Sequence, residues 1–170
     1  WGGTDADLVS GLPRFETSAM RGEYPFVWVD LKDSRMPVEV QLEAFTPFVP
    51  LDADASGIPA AVLRYKVRNT SGKSVAVSIA GSLANEACSH DREKAEHVVR
   101  HEEGRTGLFY ACPDGGRDRL KCGSMALVTS GTNVSWKREW LRGGWWDGAQ
   151  DFWDDFARDG RLKAESKYVA

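Results

Sequence analysis

The sequence predicts an all-β fold, an antiparallel two-sheet sandwich with one short amphipathic helix near its C-terminus. Three observations predict it. Apolar and polar residues alternate with a period of two in one segment after another, the mark of half-buried antiparallel strands. These segments are short, and turn-forming residues separate them. A single apolar stripe of helical spacing occurs, at residues 148–159. At 170 residues the chain fits one domain or a part of one. Residues 1–170 are therefore read as one β-sandwich domain or part of one.

Eight strands are predicted. Residues 24–31 place Phe26 and Trp28 on one side. At 38–44, Val38, Val40, Leu42 and Ala44 alternate with Glu39, Gln41 and Glu43. Pro47 and Pro50 end that strand, because proline gives a sheet no N–H. Residues 64–68 set Tyr65 and Val67, with Leu63 before them, against three bases. Turn chemistry at 69–74 then leads into 75–83, where Val75, Val77, Ile79 and Leu83 share a face. These two segments are expected to form a hairpin. The remaining strands are 98–102, 107–111, 125–129 and 134–140. The polar stretch 86–103 reads as a long loop or short helix leading into a strand.

The helix has a start and a stop. Asp147 and Gln150 have the spacing of a capping box, and Gly160 suits the position just past the C-terminus. Phe152, Trp153 and Phe156 mark the apolar face. Asp151, Asp154, Asp155 and Arg158 are expected to face water or a partner.

Composition excludes several functions. Lys and Arg number 22 against 25 Asp and Glu, a net charge of −3, so no basic stripe exists for nucleic acid. No apolar stretch approaches the ~20 residues of a membrane span, and no signal peptide opens the chain. The three cysteines, Cys88, Cys112 and Cys122, argue against a disulfide framework and for a reducing, cytoplasmic setting. A bridge between Cys112 and Cys122 across a hairpin stays open.

Few motifs carry chemistry. Residues 52–57 imitate half of a calcium loop, but Leu63 stands where a bidentate Glu is needed, so an Asx turn is the better reading. His90, His97 and His101 lie near Cys88 without the spacing of a zinc site. The Gly pairs form no phosphate-binding loop. No metal and no cofactor are expected. Sequons at Asn69 and Asn133 matter only in a secreted protein. Five of the seven tryptophans, Trp136, Trp140, Trp145, Trp146 and Trp153, fall within 18 residues. Such rings stack on sugars or anchor a helix against a neighbouring layer. The carboxylates beside them are read as solvated rather than catalytic.

The run Gly143-Gly144-Trp145-Trp146-Asp147-Gly148-Ala149-Gln150-Asp151-Phe152-Trp153-Asp154-Asp155-Phe156, with Gly160-Arg161-Leu162 after it, resembles the N-terminal domain of glycoside hydrolase family 116. Two upstream stretches agree. One runs from Val38 to Asp52 and includes Glu43-Ala44-Phe45-Thr46-Pro47-Phe48-Val49-Pro50-Leu51, with Ile58-Pro59 following. The other comprises Val67-Arg68-Asn69, Val77-Ser78-Ile79 and Asn85. Gly123-Ser124-Met125-Ala126-Leu127 also fits. The similarity covers about residues 22–162. The family includes the non-lysosomal glucosylceramidase, or bile acid β-glucosidase, and prokaryotic β-glucosidases.

The resemblance implies a β-sandwich domain longer than this chain, so residues 1–170 are read as part of a single domain shortened at both ends, followed in the whole enzyme by an (α/α)6 barrel, which carries a nucleophilic Glu and an acid/base Asp. Neither motif occurs in these 170 residues, so no catalytic residue is assigned and the segment alone is expected to be inactive. The parent reaction is retaining hydrolysis of a β-glucoside, and the partner is the downstream barrel of the same polypeptide. The expected interface or cleft rim consists of Trp145, Trp146, Asp147, Phe152, Trp153 and Phe156. A stand-alone carbohydrate-binding module and a structural β-sandwich adaptor are the competing readings.

Overall fold

A computed structural model describes residues 11–87, 96–112, 123–141 and 147–164. The fold is all-β, with two antiparallel sheets, as the alternation predicts. The chain divides into two compact units. One is Pro13–Ala76, and Val77 and the residues after it belong to the other.

The first unit is a four-stranded sheet in the order β1 (Thr17–Glu23), β2 (Phe26–Lys32), β3 (Val38–Phe45), β4 (Val62–Asn69). A helical turn, α1 (Ala53–Ser56), interrupts the connection from β3 to β4. Register explains the two faces. Arg21, Trp28, Glu43 and Arg64 stand opposite one another across all four strands. The Arg21 guanidinium lies 4.4 Å from the centre of the Trp28 ring. The Trp28 indole N–H donates to Glu43 Oε2 at 3.2 Å, and Arg64 Nη1 donates to Glu43 Oε1 at 2.6 Å. The indole hydrogen bond, with Lys66 and Arg64 nearby, holds the Glu43 carboxyl below its ordinary range against the opposing effect of burial. Gln41 donates to Asp30, and Arg68 pairs with Glu39. The other face is apolar, with rows such as Met20, Val29, Leu42 and Tyr65. Met20, Leu63, Tyr65 and Val67 on it are exposed.

β1 carries no expected strand signal. Its sequence, TSAMRGE, is nearly all polar or small and every residue is exposed; it is ordered by its ladder to β2. The predicted hairpin of 64–68 with 75–83 does not form. β4 pairs with β3 at the sheet edge, and residues 74–83 are irregular. The boundary between the units falls inside this segment, at Val77. From Val77 on, small residues pack within the second unit: a Cβ on Gly160 would lie 2.3 Å from Ser78 Oγ, and one on Gly81 would lie 3.6 Å from Leu127. Alternation licenses a strand, but a ladder partner makes one.

The turn between β2 and β3 is fastened by Asp33. Its buried carboxylate accepts from the Arg35 backbone N–H at 3.0 Å and from both Nε (2.8 Å) and Nη2 (2.6 Å) of Arg35. These hydrogen bonds hold the Asp33 carboxyl at about 2, against an ordinary 3.8. A carboxylate depressed on folding stabilises above its unfolded value and loses that contribution as pH falls through its folded value. The stability difference between wild type and Asp33→Asn is therefore expected to be constant above about pH 5 and to shrink between 3.8 and about 2. Urea midpoints measured across that range check it; a difference that does not change with pH refutes it.

The second unit holds a three-stranded sheet of β5 (Glu96–Glu102), β6 (Arg105–Ala111) and β7 (Ser124–Thr129). The two residues joining β5 and β6, Glu103 (φ 49) and Gly104 (φ 73), are both left-handed, which fits a twist-matched two-residue hairpin. Tyr110 and Ala87 are buried, and burial raises the Tyr110 hydroxyl. The Gly123 N–H donates to the Ala87 carbonyl at 3.0 Å, and the Cys112 N–H donates to the Gly123 carbonyl at 3.4 Å. Cys112 is disulfide-bonded, a point that the cysteine count left open. Cys88 and Cys122 lie outside the described residues. His97 meets Tyr110 edge-on at 5.3 Å, and His101 Nδ1 lies 3.0 Å from Thr106 Oγ1. Residues 134–140, predicted as a strand, are irregular, because their side chains are engaged by the helix α2 (Asp147–Asp159) and the residues after it.

Candidate functional site

The helix α2 ends as predicted. Gly160 is left-handed at φ 71, and its N–H donates to the Phe156 carbonyl at 2.8 Å, an αL cap. The start differs. Asp147 is already helical, and the Gln150 amide turns forward to donate to Asp154 Oδ1 at 2.7 Å, so it does not reach back as a capping box requires.

One face of α2 packs by aromatic stacking. Trp140 lies parallel to Phe152 at 5.2 Å, and Phe152 to Phe156 at 5.7 Å. Ala149 is buried on the same side. Trp153 is half-buried. Among the described residues it has no ring contact and its indole N–H has no acceptor. Trp136 meets the His101 ring at 5.1 Å. Trp145 and Trp146 lie outside the described residues, and of Asp147 only the backbone is described.

The acidic side of α2 corrects the sequence reading. Asp151 and Asp155, one turn apart, are not solvated. Lys137 Nζ lies 2.5 Å from Asp151 Oδ2, with side chains 4% and 8% exposed. The two groups form a buried ion pair. Asp155 Oδ2 accepts from the Lys163 backbone N–H at 2.7 Å, and Oδ1 accepts from Arg158 Nη2 at 3.0 Å. Burial raises the Asp155 carboxyl, but the Lys163 N–H and the cations Lys163, Lys137 and Arg158 outweigh it and leave it lowered. Two further bonds stitch the segment after α2 to the irregular stretch: Arg161 Nη1 to Asn133 Oδ1 at 2.6 Å and the Leu162 N–H to Ser135 Oγ at 2.9 Å. Asp154 is exposed, as expected.

Both buried carboxylates are committed to cations and N–H groups of the same unit. Sequence reasoning missed Lys137 as their partner because strand alternation set it on a polar face with Ser135 and Glu139. The available signal was the i, i+4 spacing of Asp151 and Asp155 next to the apolar stripe. A shallow hollow of about 410 Å³ lies elsewhere, in the first unit, beside Glu16, Asp33, Met36 and Thr70. None of the predicted rim residues lines it.

Residues 5–169 match the family described as beta-glucosidase 2, glycosyl-hydrolase family 116 N-term. The chain belongs to this family, as its N-terminal domain. No curated protein matches the sequence. The family 116 chain is thus the N-terminal segment of a glycoside hydrolase, built from two antiparallel sheets. No described helix is long and apolar enough to cross a membrane.

Proposed function

We propose that this family 116 chain is the non-catalytic β-sandwich segment of a retaining β-glucosidase or glucosylceramidase-like enzyme, and that it packs on a downstream helical catalytic barrel. The family match over residues 5–169 carries the reading. Residues 1–170 belong, on this view, to a single sandwich domain. Bond cleavage needs a free nucleophilic carboxylate and a carboxylic acid. Asp151 and Asp155 are tied to Lys137, Arg158 and Lys163, which supports placing the reacting groups elsewhere in the polypeptide.

The docking or cleft-rim element comprises Trp145, Trp146, Asp147, Phe152, Trp153 and Phe156. Stacking on Trp140 uses Phe152 and, through it, Phe156, so Trp153 is the described ring left for a partner. Large half-buried aromatics concentrate binding energy at interfaces. The low cysteine count favours the cytoplasm, but the disulfide at Cys112 weighs toward an oxidising compartment.

Trp145→Ala and Trp146→Ala in the full-length enzyme test the docking role. Each is expected to lower thermal stability or kcat/KM for a β-glucoside, with losses on the order of tenfold in kcat/KM or about 2 kcal/mol in stability, as for interface anchors. Unchanged stability together with unchanged kinetics removes the reading.

A further inference from the structure

The loop that leaves β3 exposes an unusual set of side chains. Phe48, Val49, Leu51 and Ile58 are all exposed, and the exposed Tyr24 ring packs edge-on against Phe48 at 5.1 Å. Leu51 is exposed in full, and its backbone is left-handed at φ 67. A left-handed backbone is disfavoured for a bulky residue and persists only where the surroundings enforce it.

The surroundings do enforce it. Asp52 N–H donates to the Val49 carbonyl at 3.1 Å, forming a bridge across Leu51. Ser56 Oγ accepts from the Val49 N–H and donates to the Val49 carbonyl, both at 3.0 Å. Asp52 Oδ1 caps α1 through the Ala55 N–H at 2.9 Å, and the Gly57 N–H closes the turn on the Ala53 carbonyl at 2.8 Å. A floppy loop would tuck its leucine inward. This one is hydrogen-bonded into holding it out, and a pre-organised apolar group loses little entropy on binding.

Charge selects the occupant. From Thr46 to Leu63 the chain has two acids, Asp52 and Asp54, and no Lys, Arg or His. Asp52 and Asp54 follow Leu51 and are exposed. An anionic lipid surface would repel this tip, and a second copy would set the same aspartates against each other. An apolar recess with a basic rim complements it.

We propose that residues 47–58 form a docking knob, Leu51 at its tip, that seats in an apolar, base-rimmed recess on another domain of the same hydrolase. The proposal rests on reading the chain as one domain of a longer enzyme. Hydroxyl-radical footprinting of the full-length enzyme tests it, with labelling compared to that of the free amino acids. Leu51, Phe48 and Ile58 are expected to lose most of their labelling in dilute enzyme without lipid, and Leu51→Asp to restore it at Phe48 and Ile58. Leu51 labelling at the free rate overturns the knob. So does protection that appears only at high protein concentration, which marks a second copy, or only with phosphatidylserine vesicles, which marks a membrane. The two readings fail separately: protection of Trp153 with Leu51 open leaves domain docking intact and the knob refuted, whereas free labelling at both refutes both.

Discussion

Lys137→Ala is expected to destabilise the protein by about 3–5 kcal/mol, because it strands a buried carboxylate. Lys137 and Asp151 are 4% and 8% exposed and 2.5 Å apart. Removing both charges from water is costly, and their mutual attraction returns that cost only while both remain. Deleting the ammonium leaves the Asp151 carboxylate buried without its counter-ion. It also loses the packing of the lysine stem against the helix. The paired change Lys137→Met with Asp151→Leu separates the causes. It removes both charges and keeps most of the volume, so it is expected to recover most of the loss and fall within about 1–2 kcal/mol of wild type. Urea unfolding of the three proteins measures this. A Lys137→Ala variant within about 1 kcal/mol of wild type would show that the pair is solvated and the burial argument wrong.

The second large effect is expected at Gly160. Gly160→Ala is predicted to cost about 2–3 kcal/mol, from left-handed backbone strain plus overpacking. The residue sits at φ 71, and an added Cβ would lie 2.3 Å from Ser78 Oγ and 3.0 Å from Ser78 Cβ. Rotation of the hydroxyl relieves the first contact but not the second. Combining Gly160→Ala with Ser78→Gly removes the contact and keeps the strain, so roughly 1–2 kcal/mol is expected to remain. Equal losses in the single and double variants would show that backbone strain alone limits this position. No loss in either would place the αL cap and the contact with 77–83 in doubt.

Much of the fold was legible because period-two patterning is local. Val38, Val40, Leu42 and Ala44 announce β3, and the 64–68 alternation announces β4 in the same way. The helix was legible from Phe152, Trp153 and Phe156 with Gly160 behind them. What failed were the elements that depend on a partner. β1 has too little apolar content to signal itself and exists through its ladder to β2. Residues 75–83 and 134–140 alternate as strands should. Their side chains nonetheless find other uses, Ser78 beside Gly160 for the first, and Lys137 and Ser135 at Asp151 and Leu162 for the second.

The candidate site divides along the same line. The aromatic density around α2 and the family resemblance are properties of the residue string, and both stand without coordinates. So does the all-β class, since alternation reflects which side chains can share one pleated face. Three-dimensional packing alone decided that Asp151 and Asp155 turn inward, that Lys137 meets them, and that Leu51 is held out in solvent. The physical reason is that charge burial and exposure are pairwise properties. A carboxylate one helical turn from another is solvated or internal according to whether a cation distant in sequence arrives to neutralise it.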